Sequence, residues 1–199
     1  MQEPDGLTWP EVAVWRKVER ERLIGLRLDM PAQTRSEFAG RMAPLLDQVV
    51  GDVEGRMISF YWPYRGEPDL RPWAARVVAN GGMTALPVIV ARGQPLIFRV
   101  WKLGDPLMHG MWDIPAPAGG EEVSPDIVIA PLVGFDGALY RLGHGAGFFD
   151  RTLAAMSAKP LVIGIGYSAT QLATIHPQAH DIPMQVIVTE KGILARAAA

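Results

Sequence analysis

The 199-residue sequence predicts one layered α/β domain built on a mostly parallel sheet. Two observations predict it. From residue 57 onward short β-rich runs alternate with helical patterns. The length suits one domain, and with 49% apolar and 20% charged residues the chain can bury a sizeable core. No repeat, low-complexity segment or linker interrupts it.

The elements follow in order. Pro10 suits a first helical position, and Val12, Trp15, Val18, Leu23 and Leu26 recur at roughly helical spacing, which predicts a helix over 10–28. Asp29-Met30-Pro31 breaks it, and a second helix is expected over 33–49, ending near Gly51. Met57–Trp62 reads as a buried strand. Asp69–Ala79 reads as a helix closed by Asn80-Gly81-Gly82. Ala85–Val90 and Leu96–Trp101 flank Arg92-Gly93-Gln94 and predict a hairpin. Ile127–Leu132 is the most apolar run and the expected central strand. Phe148–Ser157 is expected to be helical, and Leu161–Ile165 and Val186–Thr189 to be late strands. Ligands of such sheets sit beyond the carboxyl ends of the strands, so the loops after Trp62, Leu132 and Ile165 are where chemistry is expected.

Nineteen basic and twenty-one acidic residues leave a net charge of -2, which gives no bulk electrostatic reason for a nucleic-acid or anionic-membrane partner. Without cysteine there is no disulfide, thiolate metal site or cysteine nucleophile. Met1–Asp5 is acidic and lacks the apolar core of a signal peptide, and the long uncharged stretches are broken by Gly, Pro or His, so a cytoplasmic protein is expected. His176 and His180 lie four apart, but Pro177 argues against a helix that would pair them on a metal.

The strongest chemical signal is Arg141-Leu142-Gly143-His144-Gly145-Ala146-Gly147-Phe148-Phe149-Asp150-Arg151. Glycines at alternate positions let the backbone approach a ligand closely, and successive N–H groups ahead of a helix can point at phosphate oxygens. Arg141 and Arg151 bracket the loop with positive charge, and Asp150 could hold magnesium. A tight strand-to-helix turn with solvated arginines reads equally well. The pattern is neither the dinucleotide fingerprint nor a Walker A loop.

Pro131-Leu132-Val133-Gly134-Phe135-Asp136, a short turn and then Arg141 through Leu153 resemble the signature of the 5-formyltetrahydrofolate cyclo-ligase (methenyltetrahydrofolate synthetase) family. Leu86-Pro87-Val88, Phe98–Trp101, Trp112–Pro117, Tyr61–Asp69 and His180–Met184 are similar to its other blocks. The resemblance implies a three-layer α/β/α fold. It also implies an ATP-dependent reaction. The formyl oxygen of 5-formyltetrahydrofolate attacks the γ-phosphate, N10 attacks the activated carbon, and 5,10-methenyltetrahydrofolate, ADP and phosphate result.

On that resemblance Arg141, Leu142, Gly143, His144, Gly145, Ala146, Gly147, Phe148 and Phe149 cradle ATP, joined by Arg16 and Arg20, which lie on one face of the first helix. Asp150 and Asp181 are the implied magnesium ligands. Trp62, Glu67, Trp112, His144 and Phe148 are the implied folate contacts. The residues alone leave other roles open: a solvated basic face for the first helix, which also carries Lys17, Arg22 and Arg27, a turn or cap for Asp181, a helix-start charge for Glu67, and core positions for Trp62 and Trp112. The sequence departs from the family where Ala116 stands for a frequent Glu or Gln, where Phe148 and Phe149 stand for tyrosines, and where His144 stands for Tyr or Arg. The implied partners are ATP, Mg2+ and 5-formyltetrahydrofolate, with or without a polyglutamate tail, on a monomer. A non-catalytic folate- or nucleotide-binding paralogue is the alternative, and a sugar-phosphate isomerase rests on fold analogy alone.

Overall fold

The computed structural model describes residues 6–195; the reading of Met1–Asp5 lies outside them. Helix α1 (Trp9–Leu28) begins where the Glu11 carboxylate accepts bonds from the Thr8 N–H and hydroxyl, both 2.7 Å, which holds that carboxyl below its usual pKa. Helix α2 (Ala32–Val50) stops at Gly51, whose φ of 68° suits glycine. Pro44 lies inside α2 without ending it.

Strands β1 (Met57–Ser59), β2 (Met83–Val88), β7 (Ile127–Pro131), β10 (Leu161–Ile165) and β12 (Val186–Thr189) form the parallel centre of an eight-stranded sheet. β3 (Ile97–Val100) and β6 (Glu122–Val123) extend one edge antiparallel, and β13 (Gly192–Ala195) closes the other. The sheet is therefore mixed: parallel in the middle, antiparallel outside. β7 lies between β1 and β10, as its unbroken apolar run predicts.

Alternation along the strands divides the core. Ile58, Leu86, Ile127, Ile129, Ile163 and Val188 face α2 and α3 (Arg71–Ala79). Ala85, Val128, Ala130, Val162 and Ile187 face the other side, where Leu153 of α4 (Phe148–Ala155) packs with Phe135. That second layer is partly β, because a three-stranded sheet of β11 (Gln171–Leu172), β8 (Gly134–Asp136) and β9 (Arg141–Leu142) shares it. α1 lies against this small sheet through Leu23, Val133, Leu142 and Ile175. A two-stranded arm, β4 (Leu107–His109) and β5 (Pro115–Pro117), completes the described residues.

Several boundaries differ from expectation. β1 ends at Ser59, not Trp62, because Trp62-Pro63 cannot continue the ladder and the chain turns into the loop that ends at Glu67. α3 starts at Arg71, two residues late, with Asp69 accepting the Arg71 N–H. β2 runs over Met83–Val88, two residues ahead of the expected Ala85–Val90. The larger correction is in α1. Val18 and Leu26 face outward, while its buried positions are Val12, Arg16, Leu23 and Arg27. Two arginines belong to the inner face of this helix. No helix among the described residues is long and apolar enough to cross a membrane.

Candidate active site

Successive connections run one way from β1 to β2 and the other way from β7 to β10, so a crevice opens at the carboxyl ends of β1 and β7. A cleft of about 1500 Å³ lies there. It collects Arg16, Arg20, Trp62, Glu67, Trp112, the whole Arg141–Arg151 loop and Asp181.

The loop is delivered by the β8–β9 turn. Asp136, 2% exposed, accepts the N–H groups of Ala138 and Tyr140 on one oxygen and that of Ile175 on the other. This fixes the start of β9 and hence Arg141. Gly145 has φ 97°, and a Cβ on it would lie 3.2 Å from Cζ of Arg20. A Cβ on Gly143 would lie 2.6 Å from an Arg141 nitrogen. Arg20 Nε donates to the Gly143 carbonyl at 2.8 Å. Burial and the neighbouring Arg16 lower the Arg20 pKa, and Asp181 opposes them. Arg151 donates to the Ala146 carbonyl, so the loop is held from both flanks.

Two carboxylates meet two arginines at this end. Arg141 donates to Asp150 Oδ2 at 2.8 Å, and the Ile182 N–H donates to Asp150 Oδ1 at 3.2 Å. The Arg141 Nε is buried without a partner, and its guanidinium lies 5.0 Å from the Phe149 ring. Arg16 donates to both oxygens of Asp181, at 3.3 and 2.5 Å, and to the carbonyls of Ile175 and His176. The Gln178 N–H also donates to Asp181. Lys17 is exposed and Arg16 is buried, so Arg16 is the cation that faces the cleft. His176 and His180 stack edgewise on Trp15 and Trp9 of α1, which is how this loop is clamped to the helix.

The opposite wall is aromatic. Trp62 packs edgewise on Trp101 and carries the Arg71 guanidinium 4.7 Å from its ring. Trp112 is 43% exposed and lies 5.5 Å from the Phe148 ring. Trp112 and Asp113 both have φ 59°, a left-handed conformation costly for side chains of this kind. Ala116 is buried on the same wall.

Between the walls lies Glu67. Its Oε1 is 2.9 Å from His144 Nε2, and its Oε2 accepts the Tyr64 N–H at 2.9 Å. Arg27, which sequence reasoning left among the solvated cations, is 1% exposed and holds this loop. It donates to the carbonyls of Arg65, Tyr64 and Leu132, and its guanidinium is 3.8 Å from Glu67. Burial lowers the Arg27 pKa, and Glu67 opposes that. The Tyr61 and Tyr167 hydroxyls donate to the carbonyls of Pro68 and Gly66. The only available signal for Arg27 was its place eleven residues after Arg16, on the same helical face.

A strand–glycine loop–helix unit facing an aromatic wall across one cleft, at the carboxyl ends of a parallel sheet, defines an α/β protein with a single two-walled ligand site. The model of the 5-formyltetrahydrofolate cyclo-ligase family matches residues 12–190, and the chain belongs to that family. It is 30% identical over 185 residues to the 5-formyltetrahydrofolate cyclo-ligase of Mycolicibacterium smegmatis, covering 88% of this chain and 94% of that one. It is 38% identical over 178 residues to that of Haemophilus influenzae, covering 85% and 94%. The solved 5,10-methenyltetrahydrofolate synthetase of Aquifex aeolicus superposes with a TM-score of 0.80 at 26% identity, over 92% of this chain and 94% of that chain.

Proposed function

We propose that this chain converts 5-formyltetrahydrofolate to 5,10-methenyltetrahydrofolate, coupled to the conversion of ATP to ADP and phosphate. The observation that carries the reading is the single cleft in which the glycine loop with Arg16, Arg20 and Arg141 faces Trp62, Trp112 and Phe148. A formyl oxygen is a poor leaving group, and transfer of the γ-phosphoryl group to it makes a good one. The protein then has mainly to align two ligands and neutralise phosphate charge. The loop N–H groups and the start of α4 suit the phosphates. The tryptophans and Phe148 suit the flat rings of the folate.

Asp150 and Asp181 would hold Mg2+ together with phosphate oxygens. The donor set fits that kind of shared shell. No cluster of three or more His, Cys, Asp or Glu exists among the described residues to hold a metal unaided, and magnesium commonly takes one or two carboxylates plus substrate phosphates. When bound, the cation would supply charge neutralisation at the transferred phosphoryl group.

The same proposal has the chain acting as a monomer, since one chain supplies the whole cleft, and in the cytoplasm, where ATP is its co-substrate. The folate would carry a polyglutamate tail or none. The test is to mix the protein with 5-formyltetrahydrofolate and Mg-ATP and follow the absorbance of the methenyl product. Growth of that absorbance only with ATP and a divalent metal is expected. Binding of both ligands without product would make the chain a non-catalytic paralogue.

A further inference from the structure

The glycine loop meets the opposite wall at two places, Phe148 against Trp112 and His144 against Glu67. The two are far apart in sequence, yet Nε2 of His144 lies 2.9 Å from Oε1 of Glu67. Two acceptors do not sit at that distance without a proton between them. Around Glu67 stand donors only: Arg27 lies 3.8 Å from Oε1 and the Tyr64 N–H donates to Oε2, so its oxygens accept. The shorter contact sets the tautomer: Nε2 carries the proton and donates to Glu67 at 2.9 Å, while Arg27 Nη2, 3.5 Å from the same nitrogen, stands at the limit of a hydrogen bond, and Nδ1 is left as the acceptor. The Glu67 side chain is 3% exposed and that of His144 is 33% exposed, so the imidazole is what the pair presents to the cleft. A buried carboxylate that fixes one tautomer of an accessible imidazole is the arrangement of a general base.

On the proposed activity, one proton must leave the folate during ring closure. N10 begins as a secondary amine and ends without its hydrogen. We propose that His144 is the catalytic base for that step and that Glu67 is its positioning residue. As N10 bonds to the formyl carbon, the N10–H bond breaks. Its electron pair stays on nitrogen and the proton passes to Nδ1. The C–O bond to the phosphorylated oxygen breaks, and phosphate leaves with that pair. The resulting imidazolium is stabilised by Glu67 and returns its proton to water. The placement suits the step. Residue 144 lies in the loop that would hold the phosphates, and its ring stands 5.7 Å from that of Tyr64 on the other wall. The charged and titratable groups around it are Glu67 and Tyr64 from the β1 loop, Arg20 and Arg27 from α1, and Arg141 beneath Gly143.

The test has two arms. In the first, turnover of His144→Gln is followed against pH, with ATP affinity measured by calorimetry. A loss of turnover of about a hundredfold or more is expected. The acidic limb of the wild-type profile should disappear, and added imidazole should restore part of the rate. ATP affinity should stay within about threefold, because the main chain of the loop holds the phosphates. Turnover within threefold of wild type with the same limb would overturn the proposal. So would a variant that loses ATP affinity and is not rescued by imidazole. In the second arm, nitrogen NMR of the wild-type resting protein should show His144 protonated at Nε2 and not at Nδ1. The opposite tautomer would overturn the assignment even if the variant does not fold. Failure of the wild type itself to form methenyl product would instead refute the proposed function and leave the tautomer result standing.

Discussion

The two ends of the cleft are built differently. At the loop end every charged side chain already has a protein partner: Arg16 with Asp181, Arg141 with Asp150, Arg20 with the Gly143 carbonyl. On the proposed function, a nucleotide entering here must exchange these bonds, not merely fill a space. At the aromatic end the lining is apolar and partly exposed, and its backbone is strained at Trp112 and Asp113. The contacts there are between rings, with the Arg71 guanidinium over Trp62 as the one charged group on a tryptophan. Substitutions at the loop end should thus change stability together with binding, and those at the aromatic end should change binding alone.

The largest effect is expected from Gly145→Val. Its φ of 97° resists a β-branched residue, and the new side chain would meet Arg20 where phosphate should lie. Calorimetry should show ATP affinity reduced by more than about a hundredfold (roughly 2.7 kcal/mol) with folate binding kept. Unchanged ATP affinity would make the loop only a turn.

Asp150→Asn comes next. It removes the charge opposite Arg141, whose side chain is 5% exposed, and leaves that guanidinium without a counterion. Breaking a buried pair costs on the order of 3 kcal/mol. Urea unfolding should register this, and turnover should fall by more than the stability change explains. A variant as stable as wild type would end the contrast drawn here.

Trp112→Gly probes the other end. Glycine tolerates the left-handed backbone, so unfolding stability should stay within about 0.5 kcal/mol of wild type. The KM for folate should rise about tenfold, equivalent to roughly 1.4 kcal/mol of lost stacking, with ATP affinity unchanged. A large loss of stability would show that Trp112 is a packing residue after all.

The smallest expected effect is at Tyr167, whose hydroxyl donates to Gly66 beneath Glu67. Burial pushes its pKa up from 10.0 to about 12. Between those values the unfolded chain loses a proton that the folded protein keeps, so stability falls as pH rises through this window. Tyr167→Phe should lower stability by about 1 kcal/mol at neutral pH and flatten that alkaline fall. Buried Tyr61, also shifted upward, keeps part of it. Urea titrations at several alkaline pH values check both.

How much of this the sequence displayed differs by region. The central strands were legible because buried parallel strands are apolar on both faces; β10 and β12 begin and end where their patterns place them. The short pieces β8, β9 and β11 were not, because two or three residues carry no periodicity. The glycine loop could be read as a phosphate site, and its neighbours in the cleft came from family resemblance. Arg27 stayed hidden. Composition treats an arginine as solvated, and only the fold shows it beneath the Glu67 loop, bonded to three main-chain carbonyls. The exposure of Val18 and Leu26 has the same origin, since the inner face of α1 carries Arg16 and Arg27 beside Val12 and Leu23.

The stoichiometry of the coupled reaction decides whether this cleft carries out the proposed chemistry. Purified protein is incubated with 5-formyltetrahydrofolate and Mg-ATP, and methenyl product is followed by absorbance while ADP is quantified in the same samples. Product and ADP should appear together in equal amounts, and neither should accumulate when ATP or folate is withheld. Methenyl product formed at the same rate without ATP, or ADP released without product, would contradict that chemistry.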